Sequence, residues 1–138
     1  MTADDTEASR GLLSQLGYPM DSDEFRRRYD SVARRDDHTI FVAEEDGRIV
    51  ALCHVYARPA LDKPPEAIVQ ALVVDSACRG SGLGKAMMVT AETWASSFGF
   101  TSLALASNVA RSGAHAFYEA IGYERTATSH LFRKDFKG

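Results

Sequence analysis

The densest chemistry in the chain lies in Val73-Val74-Asp75-Ser76-Ala77-Cys78-Arg79-Gly80-Ser81-Gly82-Leu83-Gly84-Lys85-Ala86, where an apolar run passes through three glycines into a helical pattern. Glycines let the backbone approach an anion closely, and the N–H groups of a first helical turn, at the positive end of the helix dipole, satisfy its charge. The segment therefore reads as a phosphate cradle. It is not a nucleoside-triphosphate loop: Arg79 stands five residues before Gly84 where that motif needs glycine, and Ala86 replaces the magnesium-binding hydroxyl. It is not a dinucleotide fingerprint either, because the glycines fall at 80, 82 and 84 and Lys85 takes the third position. The two cysteines, Cys53 and Cys78, show no metal spacing and no local histidine to activate them.

The stretch Arg79-Gly80-Ser81-Gly82-Leu83-Gly84 resembles the Q/R-x-x-G-x-G/A pyrophosphate loop of the GCN5-related N-acetyltransferase (GNAT) superfamily. Downstream, Ala106-Ser107-Asn108-Val109-Ala110-Arg111 followed by Ala116-Phe117-Tyr118-Glu119-Ala120-Ile121-Gly122-Tyr123 is similar to the second family signature. Gln15-Leu16-Gly17-Tyr18-Pro19 and the Ala43 to Val50 hairpin also look like bacterial members, so the resemblance covers nearly the whole chain. It implies a single domain over residues 1–138, with an α/β three-layer fold and a mixed, mostly antiparallel central sheet flanked by helices. Members usually begin with a strand before the first helix. Here Thr2 already stands where the strand-to-helix turn would be, so the expectation is a form lacking that strand or a start codon placed too late.

Amide formation from a thioester needs a neutral amine, stabilisation of the oxyanion and a proton for the departing thiolate. The resemblance implies acetyl-CoA as acetyl donor, held by Arg79, Gly80, Ser81, Gly82, Leu83, Gly84 and Lys85. It places the pantetheine arm along the backbone of Leu72, Val73 and Val74, with the Val74 N–H polarising the thioester carbonyl. Tyr118 stands at the family's general-acid position, and a phenol ordinarily stays protonated at neutral pH. By composition alone Tyr118 reads sooner as a buried core tyrosine with a satisfied hydroxyl, and the motif match is what reverses that reading. Asn108 binds the coenzyme or caps a helix, and His115, one turn before Tyr118, reaches the coenzyme or is solvated. Many relatives carry a glutamate on the central strand, whereas this chain has Gln70. Gln70 cannot take a proton but can order a water that passes it to Glu66, with His54 a second candidate and an idle, exposed Glu66 the plain alternative.

Positioning these groups requires alternating helices and strands. Asp4 to Leu16 reads as an amphipathic helix stopped by Gly17, and Asp21-Ser22-Asp23-Glu24 caps a second helix that ends near Arg35. Thr39 to Ala43 and Ile49 to Tyr56 alternate as strands around a Glu45-Asp46-Gly47 turn. The three prolines between Arg58 and Pro65 make a loop, and Ala67 to Val74 is apolar enough to predict a strand covered on both faces. Gly82 to Phe98 predicts a helix with its apolar stripe at Leu83, Met87, Ala91, Trp94 and Phe98. Thr101 to Ala106 predicts a strand and Arg111 to Ile121 a helix, with closing strands at Tyr123 to Thr126 and His130 to Lys134.

Composition narrows the classes further. With 138 residues, 45% hydrophobic and 25% charged, the chain can bury a core without disulfide or metal staples. A net charge of -3 argues against nucleic acid as a partner. The acidic N-terminus and the lack of a long apolar run predict no export signal and no membrane span. The expected enzyme is thus a cytoplasmic N-acetyltransferase without a metal, acting on a primary amine of a small molecule or peptide by direct attack. The alternative is a coenzyme-binding module without transferase activity. A homodimer is expected to cover at least one sheet edge.

Overall fold

The computed structural model describes residues 5–107 and 112–136, in two compact units that divide after Ala106. In the first unit the helices α1 (Thr6–Leu16) and α2 (Ser22–Ala33) precede three strands, β1 (His38–Glu45), β2 (Arg48–Arg58) and β3 (Glu66–Val74). Helix α3 (Leu83–Ser97) and strand β4 (Leu103–Leu105) complete it. The second unit holds α4 (Ser112–Ala120). The caps lie where the sequence put them: Asp21 accepts from the Glu24 N–H at 2.8 Å, and Gly17 closes α1 in the left-handed region at φ 109°.

The sheet order is β1-β2-β3-β4, antiparallel except for the parallel β3–β4 pair. Asp46 and Gly47, at φ 52° and 77°, make the two-residue turn that joins β1 to β2 with Glu45 opposite Arg48. Leu12 of α1 packs with Ile49, Leu52 and Val73 on one face, supported by Ile40 and Val42. Helix α3 packs against β2 and β3 and turns its buried side chains Met87, Met88, Ala91 and Ala95 inward.

β3 lies between β2 and β4 and is contacted by both α1 and α3, as its apolar run implied, with Ala67, Val69 and Val73 buried and Gln70 exposed. Two expectations are corrected. The α3 stripe is rotated: Phe98 is 60% exposed and pairs its ring with Trp94 at 4.9 Å along the helix border, and Met88 and Ala95 take the inner positions. Residues 123–136 form no strand among the described residues, because a strand needs a neighbouring ladder as well as its own pattern. Among the described residues no helix is long and apolar enough to cross a membrane.

Candidate active site

Two backbone features of β3 build the site. Val69 lies opposite Val55 and Ala71 opposite His54, so Gln70 is an extra, unpaired residue that bulges the strand. On the other side β4 pairs only with Ala67, Ile68 and Val69. Beyond Val69, among the described residues, no strand continues along that side of β3, toward which the backbone groups of Leu72 and Val74 point, whereas Val73, opposite Leu52 and two residues before the Asp75–Val50 bond, turns its own to β2 and corrects the expectation for that residue.

The strand runs into a pinned turn. The Asp75 N–H donates to the Val50 carbonyl at 2.8 Å, its carboxylate accepts from the Ala77 N–H at 3.0 Å, and the Cys78 N–H returns to the Asp75 carbonyl at 2.8 Å. Gln15 on α1 accepts from the Ser76 N–H at 2.9 Å, which ties the first helix to the loop. Sequence spacing gave no sign of this contact between residues 61 apart. Gly80 and Gly82 both stand at φ 85°, a region that side-chain-bearing residues rarely adopt, and an added Cβ at either meets nothing within 4 Å. The space over the loop is therefore open.

Gly82 caps α3 without a side-chain hydrogen bond, and Ala86 is bonded back to the Gly82 carbonyl at 3.1 Å. The preceding N–H groups, those of Leu83, Gly84 and Lys85, have no carbonyl to reach within the helix. No acid occupies the first turn of α3, and Arg79, Ser81 and Lys85 are exposed around it. Donors, dipole and cations converge without a competing carboxylate, and a pyrophosphate fits that set.

The other candidate residues are placed unevenly. Glu66 is at the start of β3, about 26 Å along the strand from Val74 and about 13 Å from Gln70. Its carboxylate takes Arg58 at 3.4 Å and the Ser102 hydroxyl at 2.8 Å. Through these two partners Glu66 links the ends of β2, β3 and the β4 approach. Tyr118 is half-buried on α4, with ring contacts to Phe117 at 5.1 Å and Tyr123 at 6.3 Å. His115 is half-buried on the same helix, and Asn108 lies outside the described residues. Burial pushes the Cys53 thiol up to about 12, which keeps it protonated and unreactive at neutral pH.

Sequence reasoning missed His38. Its Nδ1 lies 2.9 Å from His54 Nε2, and its ring stacks on Tyr56 at 4.8 Å and 10°. Desolvation, then the neighbouring His38, lowers the His54 pKa to about 4. Among the described residues no group of three His, Cys, Asp or Glu side chains is arranged to hold a metal ion.

The chain is similar to several known proteins. The family described as acetyltransferase (GNAT) matches residues 5–123. An uncharacterised N-acetyltransferase of Bacillus subtilis, YhdJ, is 30% identical over 124 residues, covering 89% of this chain and 86% of the relative. An aminoglycoside N(6')-acetyltransferase type 1 of Stenotrophomonas maltophilia is 26% identical, over 92% of this chain and 86% of its own. The crystal structure of the aminoglycoside 6'-N-acetyltransferase AAC(6')-Ig from Acinetobacter haemolyticus superposes with a TM-score of 0.88 at 18% identity, covering 99% and 97% of the two chains. AAC(6')-Iy in complex with CoA gives 0.88 at 21%, over 97% and 91%. At these identities the structures establish a shared fold.

Proposed function

The chain belongs to the acetyltransferase (GNAT) family, and on that premise we propose that it moves the acetyl group of acetyl-CoA directly onto a primary amine of a small molecule or peptide. Acetyl-CoA supplies the acetyl group as an activated thioester. The observation that carries the reading is the continuity of the half-open β3 edge with the glycine turn and the uncapped start of α3. The loop N–H groups take the pyrophosphate, and Leu72 and Val74, whose backbone groups face the open edge, hold the arm. The Val74 N–H stabilises the developing negative charge. Gln70, exposed at the bulge, orders a water or the amine. Tyr118 donates a proton to the leaving thiolate, and Asn108 and His115 contact the coenzyme.

Direct attack is supported by Cys53, whose buried thiol is held protonated. Both cysteines are free thiols, which supports a reducing, cytoplasmic setting. Leu131, Phe132 and Phe136 are 81%, 90% and 88% exposed, and covering them favours a homodimer. The test of function is release of the CoA thiol from acetyl-CoA against a panel of alkylamines, peptides and aminoglycosides. Amine-dependent release is expected. Tight CoA binding with no release across the panel would identify a coenzyme-binding module instead.

A further inference from the structure

Glu66 is tied to Arg58 and Ser102, and the proton that leaves the amine needs an acceptor closer to the Gln70 bulge. We propose, resting on the transferase reading, that His54 and His38 form a relay that carries this proton from the acceptor side of the sheet to Asp37 at the surface.

The position of His54 suits the task. It lies directly opposite Ala71, beside the Gln70 bulge, and directly opposite Ile40 on its other side. Ile40 packs with the Leu12 cluster, so His54 shares the sheet face that α1 covers. It is level with the point where β3 loses β4, one strand away from the open edge, a spacing of about 4.8 Å. The ring is half-buried and therefore reachable.

The pair is arranged as a conduit. At 2.9 Å one ring nitrogen donates and the other accepts, so the two imidazoles already share a proton. Tyr56 fixes the plane of His38 by stacking, and the far nitrogen of that ring, Nε2, is 4.0 Å from Asp37 Oδ1. Arg35 holds the Asp37 carboxylate at 3.1 Å. Among the described contacts, the titratable and charged groups that meet the pair are Tyr56, Asp37 and, through Asp37, Arg35, while Ile40 of β1 and Ala71 of β3 lie in register with His54. Burial and the neighbouring His38 keep His54 neutral near pH 7, so it does not repel a cationic amine, and its unprotonated ring nitrogen is open to a proton.

The transfer balances. As the amine nitrogen bonds the acetyl carbon, its N–H bond breaks and the electron pair stays on nitrogen. The proton enters His54 at Nδ1, the proton on Nε2 passes to His38 Nδ1, and the proton on His38 Nε2 leaves to Asp37 or water. Both rings finish neutral with tautomers exchanged, and exchange with water resets them.

The test uses the full chain, with kanamycin and spermidine as acceptors, in the variants His54→Ala, His54→Gln and His38→Gln. The last keeps a hydrogen-bonding side chain beside His54 but cannot relay. CoA affinity by calorimetry should hold while kcat near pH 7 falls about tenfold or more. The loss should shrink toward pH 9, and added imidazole should restore His54→Ala in proportion to the strength of the added base. In the wild-type protein without ligand, nitrogen NMR should show the two rings taking up one proton as a unit. Wild-type rates in the variants, a loss equal at every pH without rescue, or two independently titrating rings would overturn the relay and leave the transferase reading intact. A wild-type protein that binds CoA but acetylates neither these two amines nor any other of the alkylamines, peptides and aminoglycosides tried would defeat that reading, and the relay with it.

Discussion

A single hydroxyl carries the assignment of the acid. Tyr118→Phe keeps the ring that packs on Phe117 and Tyr123 and removes only the donor, so acetyl-CoA affinity should stay within a few fold while kcat falls by roughly 10² to 10⁴. Steady-state kinetics with calorimetry check it, and full activity would reassign the proton to water or Ser107. His54 gives a second readout at this scale, in stability. An unfolded histidine titrates near 6.5 and the folded His54 near 4, so between these values the unfolded chain binds the extra proton. Stability should therefore drop as pH falls from about 6.5 to about 4, with no further loss from this group below, and His54→Gln should remove that leg of a urea-midpoint profile. Some residues were legible from spacing alone. The glycines at 80 and 82 needed only their positions, but the His38 partner of His54 did not, because a contact across two strands depends on register.

At the scale of elements, local signals were read well and paired ones poorly. Asp21, Gly17 and the Asp46-Gly47 turn act through their own backbone neighbours, and each stands as its sequence context implied. The Gln70 bulge left no mark in the sequence, since it exists only in the offset between β2 and β3. The rotation of the α3 stripe has a similar cause: Trp94 and Phe98 satisfy helical periodicity by pairing with each other on the border, which lets Met88 and Ala95 turn to the sheet. Met88 is fully buried between α3 and the strands, and Met88→Ala should destabilise the fold by about 2–5 kcal/mol in urea unfolding, without changing the m-value. A cost below 1 kcal/mol would place Met88 outside the core.

For the whole molecule, the helices and the hairpin were foreseeable, while the closing segment was not: residues 123–136 carry strand-forming side chains but form no ladder among the described residues. Their exposed Leu131, Phe132 and Phe136 favour association, and light scattering at micromolar concentration should report a dimer that Phe132→Ser/Phe136→Ser weakens. A monomer at those concentrations would leave these side chains to another role. The proposed coenzyme site requires the glycine turn and the start of α3 to hold the CoA pyrophosphate. Gly82→Asp tests it, because the added Cβ meets nothing within 4 Å while φ 85° strains the backbone by only about 1–2 kcal/mol, so the fold should survive. Its carboxylate would occupy the anion site. Isothermal calorimetry of CoA should show a loss of affinity of at least about tenfold in the folded variant, from like-charge repulsion at the helix start. Unchanged affinity in a folded Gly82→Asp protein would contradict the account.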